Sequence, residues 1–357
     1  MVPYDLYRLL QCPTCSSRDL IVTDDGVACT ACGADYPRRD GYLDLMPRGV
    51  EFGYVSKYVS EEEELAHELD YRDLAPPLLA AGVRNRALQR LLDLRPEDVV
   101  LDSGCGNAKF AAWNADRVRL MVGVDPATLF ADEAVKSVAL IQGDARRLPF
   151  ADGVFDKAFS IDVLEHFPRE VIDAYLRETA RALRPGGRFL VFSNTREPSR
   201  LQPLIEVSRW LGRQFVRAGV YDFEREARRK SDHIKALATW EDVLDAMQCA
   251  GLRPVRVVFW NSVVTSFVEH VLMKLGEAIV GRNRKNASRH DGAASVGEGT
   301  AREIRARQRM RARLQHRGLV YYALLAVTLF MELDLWLFGR LRSGSYFVVV
   351  EKPVVRR

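Results

Sequence analysis

The chain has 357 residues, 48% hydrophobic and 28% charged, which is enough for about two domains with a sizeable core and excludes a collagen, a coiled coil or a disordered chain. Its net charge of +4, from 52 Lys and Arg against 48 Asp and Glu, is unevenly spread. Between Gly281 and Arg317 stand eleven Lys/Arg against three acids (Asp291, Glu298, Glu303), a local +8 that leaves the remaining chain at −4.

The opening MVPYDLYRLLQCPTC has no basic segment followed by an apolar run, so it does not read as a secretory signal. A reducing, cytoplasmic location is the expectation, and six cysteines then need a reading other than a disulfide framework. Four of them fall as Cys12-x2-Cys15 and Cys29-x2-Cys32, with thirteen residues between the pairs. A Cys-x2-Cys turn presents two thiolates on one knuckle, and two knuckles on facing hairpins complete a tetrahedral zinc site. The spacing predicts a structural Zn²⁺ held by Cys12, Cys15, Cys29 and Cys32; two redox pairs are the alternative. A unit this small has little core of its own, so the metal would supply folding energy. With Tyr36, Pro37, Gly41 and Pro47 following, residues 8–48 resemble the small zinc-ribbon activator subunits of tRNA, rRNA and protein methyltransferases. The resemblance implies a protein-binding module, here expected to dock on its own chain and stabilise it. Residues 1–48 are read as the ribbon and 49–74, with its run of glutamates at 61–64, as a linker or cap.

Residues 75–260 alternate buried β-branched runs with helical stretches, which predicts parallel βαβ units and a doubly wound α/β sheet. The first run ends in Asp102-Ser103-Gly104-Cys105-Gly106-Asn107-Ala108-Lys109. A dinucleotide fingerprint would want a third glycine at position 109, which is lysine. The Asp102-x-Gly104-x-Gly106 segment instead resembles the first motif of class I S-adenosylmethionine (SAM) dependent methyltransferases. Ala108 stands at a position where glycine is usual in that family. The later runs end in Asp125-Pro126, Asp144-Ala145 and Ile161-Asp162-Val163-Leu164-Glu165-His166-Phe167; the last is similar to the Leu-Glu-His segment of the ubiquinone/menaquinone type. Leu183-Arg184-Pro185-Gly186-Gly187 matches the turn before strand five in that group.

This resemblance implies a seven-stranded Rossmann-like methyltransferase sheet. It places SAM against Asp102, Gly104, Gly106, Asp125, Pro126, Asp144, Ala145 and Asp162, with Asp125 on the ribose hydroxyls and Asp144-Ala145 on the adenine edge. His166 and His233 are the candidates for a base or an acceptor contact, each with a structural histidine as its alternative. Glu165 is expected to cap a helix or line the cofactor. Cys105 and Cys249 are expected to be inert.

Pro254–Trp260 and Tyr346–Lys352 read as the sixth and seventh strands of that sheet, and the residues between them are an insertion, 261–343. It comprises an apolar helix (261–280), the basic stretch and a very apolar run, Gly318–Phe338; 344–357 are the last strand and tail. Strand seven must return to the same sheet, so the insertion is expected to lie on a membrane surface rather than span it. A soluble lid or a homodimer contact through the apolar run is the competing expectation. The function expected is methyl transfer to a small-molecule or lipid-linked acceptor, by a cytoplasmic protein peripheral to the inner face of the membrane. An rRNA or tRNA methyltransferase fits less well, because the basic stretch lacks interleaved aromatics for base stacking. A non-catalytic scaffold on the same fold is the third reading.

Overall fold

The computed structural model describes residues 4–60, 73–217, 234–272 and 314–354. The first four strands form antiparallel hairpins: β1 (Leu20–Thr23), β2 (Gly26–Cys29), β3 (Asp35–Arg39) and β4 (Tyr42–Asp44). They do not stand apart from the rest. Strand β4 pairs in parallel with β7 (Ala139–Gln142), in register from Tyr42↔Leu140 to Asp44↔Gln142, so the cysteine module extends the central sheet. The segment before it is tied to the same edge by Gln11 N–H to Pro149 O at 3.0 Å and Ala151 N–H to Leu9 O at 2.8 Å. A bare β7 would leave a row of unpaired backbone groups, and the module supplies their partners. Docking in cis is therefore a structural fact.

The remaining strands are β5 (Val99–Ser103), β6 (Leu120–Asp125), β8 (Phe155–Ile161), β9 (Leu183–Asn194), β10 (Arg253–Phe259) and β11 (Ser345–Glu351). From the module outward the order is β1-β2-β3-β4-β7-β6-β5-β8-β9-β11-β10. Strands β7, β6, β5, β8 and β9 are parallel, and β11 runs antiparallel between β9 and β10. The seven expected strands are all present, in a sheet of eleven among the described residues. The Leu183–Gly187 segment, expected as a turn, lies inside the start of β9: Leu183 pairs with Phe155, and the register shifts before Lys157. Gly186 takes φ 79° there and donates to Lys352 O at 2.7 Å, so turn chemistry survives as an irregularity within a ladder.

Besides one-turn helices at Tyr4–Tyr7 and Lys57–Ser60, the α-helices among the described residues are α1 (Leu79–Leu92), α2 (Lys109–Ala112), α3 (Asp132–Ser137), α4 (Arg169–Ala182), α5 (Gln202–Arg217), α6 (Trp240–Cys249), α7 (Val263–Phe267), α8 (Leu319–Met331) and α9 (Leu333–Phe338). Both sheet faces are covered, as a parallel sheet requires. Val99 and Leu101 point into one core with Ile172, Tyr175 and Leu176 of α4, Val243 of α6, and Leu6, Leu10, Tyr36 and Leu43 of the amino-terminal module. Val100 points the other way, into a core with Val83, Leu88 and Leu92 of α1, Phe192, Trp260, and Met331 and Leu335 of the insertion. Helix α4 forms because Ile172, Tyr175, Leu176, Thr179 and Ala180 recur at helical spacing on one buried face. The start of α6 is fixed by a reciprocal cap: Asp242 N–H donates to Thr239 Oγ1 at 3.2 Å and Thr239 N–H to Asp242 Oδ2 at 2.8 Å.

Candidate functional site

The carboxyl ends of β5, β6 and β8 converge on the glycine-rich turn after β5. Gly104 has φ 78° and Gly106 φ 54°, a left-handed backbone that glycine adopts without strain. A Cβ at Gly104 would lie 2.8 Å from Val163 Cγ2, whereas one at Gly106 would meet nothing within 4 Å. The turn is thus packed on one side and open on the other, which is a cradle for a ligand brought against backbone. Ala108 also sits in the left-handed region, at φ 59°, where a non-glycine residue costs about 1–2 kcal/mol. Helix α2 begins directly after it.

Asp102 is buried beneath this turn, and burial first, then the charge of Asp125, pushes its pKa well above the usual carboxylate range. Asp125, at the end of β6, accepts from Gly106 N–H at 2.8 Å through one oxygen and from Ala127 N–H at 3.0 Å through the other. It holds the glycine turn and the following loop in place. Pro126 gives its carbonyl to Gln142 Nε2 at 3.2 Å. Asp144 is committed to Arg146 through both oxygens, Nε–Oδ1 2.8 Å and Nη2–Oδ2 2.6 Å, with Ala145 buried beside it. The Arg146 guanidinium lies 3.9 Å from the ring centroid of Phe52, so residues after the cysteine module reach this turn. Nothing in the sequence pattern indicates either the Asp144–Arg146 pair or Phe52 above it.

The end of β8 carries the site's second cluster. Asp162 has φ 60°, pairs with Arg84 of α1, and donates its N–H to Phe192 O at 3.1 Å. A non-glycine residue held in the left-handed region where three elements meet is a feature of functional sites. Arg84 also lies over the Phe192 ring, 5.5 Å from its centroid. Glu165 is buried, and it caps no helix: its carboxylate accepts from Ser193 Oγ at 2.6 Å and Asn194 Nδ2 at 3.3 Å, at the end of β9. Burial, helped by the charge of Asp162 and opposed by those donors, pushes its pKa up to about 7. His166, the next residue, is half-buried, and its carbonyl accepts from Tyr54 Oη at 2.9 Å. Tyr54 stands edge-on to Phe167, ring centroids 6.0 Å apart. The second histidine candidate, His233, lies outside the described residues. The sequence pattern points to His166 at this position, while the buried titratable neighbour is Glu165.

The four amino-terminal cysteines form the other cluster. Their Sγ atoms all lie within 4.8 Å of one another. Cys12 and Cys32 are 3.7 Å apart and Cys15 and Cys29 3.6 Å. A tetrahedron with Zn–S near 2.3 Å has edges of roughly 3.8 Å, so the donor set fits Zn²⁺. Burial would raise the Cys12 pKa, but Tyr36 Oη at 3.2 Å, with the backbone at Cys15 and Thr14, brings it down to about 7. For Cys32 the backbone at Ala34 lowers the pKa, while burial and the neighbouring thiols outweigh it and push it up to about 12. Four thiols this close do not all ionise without a cation among them. Tyr36 is buried with its hydroxyl 2.7 Å from Thr14 Oγ1, which gives that residue its role in the ribbon pattern. Of the remaining cysteines, Cys105 is buried and its pKa raised well above the usual by that burial, and Cys249 is exposed at the end of α6.

The family described as "Methyltransferase domain" matches residues 101–191. A demethylmenaquinone methyltransferase of Mycolicibacterium vanbaalenii is 41% identical over 125 residues, 33% of this chain and 53% of that protein. Methyltransferase GfsG of Streptomyces halstedii is 36% identical over 128 residues, 32% of this chain and 45% of that protein. The chain thus spans about half the length of the curated relatives it matches. A phosphoethanolamine N-methyltransferase 2 of Haemonchus contortus, solved with S-adenosyl-L-methionine, overlays with a TM-score of 0.49 at 16% identity, covering 87% of this chain and 62% of that one. Over residues 101–191 the chain is therefore similar to methyltransferase domains.

Proposed function

We propose that the protein transfers the methyl group of S-adenosylmethionine to a small-molecule acceptor, in the lipid-linked class. The observation that carries this reading is the open, left-handed Gly104–Gly106 turn pinned by Asp125 at the ends of β5 and β6. The bound sulfonium supplies an activated methyl carbon for in-line displacement, so much of the rate comes from positioning. In this reading the Gly104–Gly106 backbone receives the amino-acid end of the cofactor, with Asp102 beneath it. Asp125, at the end of β6, accepts the ribose hydroxyls beside the glycine turn that it pins. Asp144 and Ala145 meet the adenine edge, with Pro126 and Asp162 lining the same rim. Asp144 is oriented by Arg146, which Phe52 covers.

A base is needed only if the acceptor must lose a proton. His166 is our candidate for it, with Tyr54 fixing its backbone and Glu165 holding the turn from below. The amino-terminal cysteines hold a structural Zn²⁺; four thiolates leave no open position for substrate. Asp125→Ala checks the cofactor assignment by calorimetry with SAM. Loss of a ligand hydrogen bond to a carboxylate is worth about 1.5–3 kcal/mol, so affinity should fall roughly 10- to 100-fold. Unchanged affinity in a folded variant would refute the assignment.

A further inference from the structure

Helices α8 and α9 together form a run, Leu319–Phe338, long and apolar enough to cross a membrane, yet its buried residues are only Thr328, Met331, Asp334 and Leu335. Its polar residues are turned inward. Thr328 is fully buried; its Oγ1 accepts from Leu79 N–H at 2.8 Å and donates to Leu324 O at 2.7 Å. Glu332 pairs with Arg86 of α1. Asp334, also fully buried, accepts from Val264 and Thr265 N–H, both at 2.8 Å, at the start of α7. The outward face is apolar: Leu319 is 88% exposed, Tyr322 58%, Leu329 44%, Phe330 46% and Trp336 77%. A soluble surface helix has the reverse arrangement.

The inward contacts also decide against spanning. α8 is packed tightly on α1, where a Cβ at Gly82 would come within 2.8 Å of Thr328 Cγ2, so lipid cannot surround it. Asn261, just after β10, donates to Phe338 O and Leu341 O, both at 2.8 Å, and ties the end of α9 back to the sheet. What remains is a helix pair with one face joined to the protein and the other fit for the acyl boundary. Cations flank it: exposed Arg317 precedes α8, exposed Arg340 follows α9, and the sequence running up to Arg317 carries the local +8. Tyr321 and Tyr322 at one end and Trp336 at the other are the residue types that settle at the headgroup level.

We propose that the outer face of α8 and α9 seats the protein in the plane of an anionic lipid bilayer, the basic flanks on the headgroups and the apolar face in the acyl boundary. Through α1, whose Arg84 holds Asp162, this seat lies one helix away from the candidate methyl-transfer site. The link to a lipid-linked acceptor rests on the function proposed above; the seat itself does not.

Flotation of the full chain with phosphatidylcholine/phosphatidylglycerol vesicles tests it, using Leu329→Glu/Trp336→Glu, whose side chains are exposed and leave the inner packing intact. The wild type should float, less so with added salt, and the variant should bind at least about tenfold more weakly while keeping its SAM affinity. Equal flotation of variant and wild type would overturn the proposal, as would a wild type that does not float. A wild type that is dimeric and becomes monomeric in the variant, without vesicle binding by either, would assign the face to a second copy of the chain. SAM affinity, read on the same samples, separates failure of the seat from failure of the methyl-transfer reading.

Discussion

Glu165 shows what a single side chain contributes here. Burial, reinforced by the nearby Asp162 charge, raises its pKa from 4.5 to about 7 in the folded protein. A carboxyl whose folded value exceeds its unfolded one favours the protonated fold. Its contribution is fully present below about pH 4.5 and is lost as pH rises through about 7, on the order of 3 kcal/mol in all. Glu165→Gln removes the titration and leaves a carbonyl oxygen as an acceptor for Ser193. Melting temperatures of the two proteins measured across this window should diverge, with the variant gaining on the wild type as pH rises. Parallel curves would show that Glu165 does not titrate there. The residues legible in sequence are those at the ends of buried strands, Asp102, Asp125 and Asp144, because a β-branched run followed by an acid or a glycine marks the place where ligands meet a parallel sheet. Partners contributed from elsewhere were not legible. Ser193 beneath Glu165, Arg84 on Asp162 and Phe52 over Arg146 come from separate elements, and no local pattern links them.

At the scale of elements, the cysteine module carries a four-thiol cluster whose spacing fits Zn²⁺, and it also forms the edge of the sheet. Its spacing reveals the thiol cluster, since two knuckles on hairpins can close in few ways. That β4 would pair with β7 is not written in any periodicity, because an edge strand's partner is chosen by the whole surface it completes. Cys12→Ser should therefore unfold more than a loop. Loss of a structural metal of this kind is expected to cost at least about 3 kcal/mol, roughly 10 °C in melting temperature for a domain of this size, with SAM affinity retained in the protein that remains folded. Differential scanning calorimetry with and without a chelator checks it. An unchanged melting temperature, or lost SAM affinity at unchanged stability, would contradict a structural role. The apolar insertion makes the same point about legibility: the sequence shows that 319–338 is apolar and contains two acids, but only the fold shows both acids facing inward, Glu332 on α1 and Asp334 on α7.

Taken as a whole, the molecule is one sheet with three additions: a cysteine module on the β7 edge, a chain segment carrying Phe52 and Tyr54 to the site rim, and an insertion between β10 and β11 that covers α1. The net +4 of the chain belongs to none of these parts; it is the sum of a −4 body and a +8 stretch. Residues 273–313, which hold most of the basic stretch and the end of the helix expected over 261–280, lie outside the described residues. Incubating the full chain with methyl-labelled SAM and membrane extract tests the proposed methyl transfer to a lipid-linked acceptor most directly. Label should appear in the organic-extractable fraction and be lost with Asp125→Ala. Label confined to the RNA or protein fraction, or none above the enzyme-free control, would contradict it.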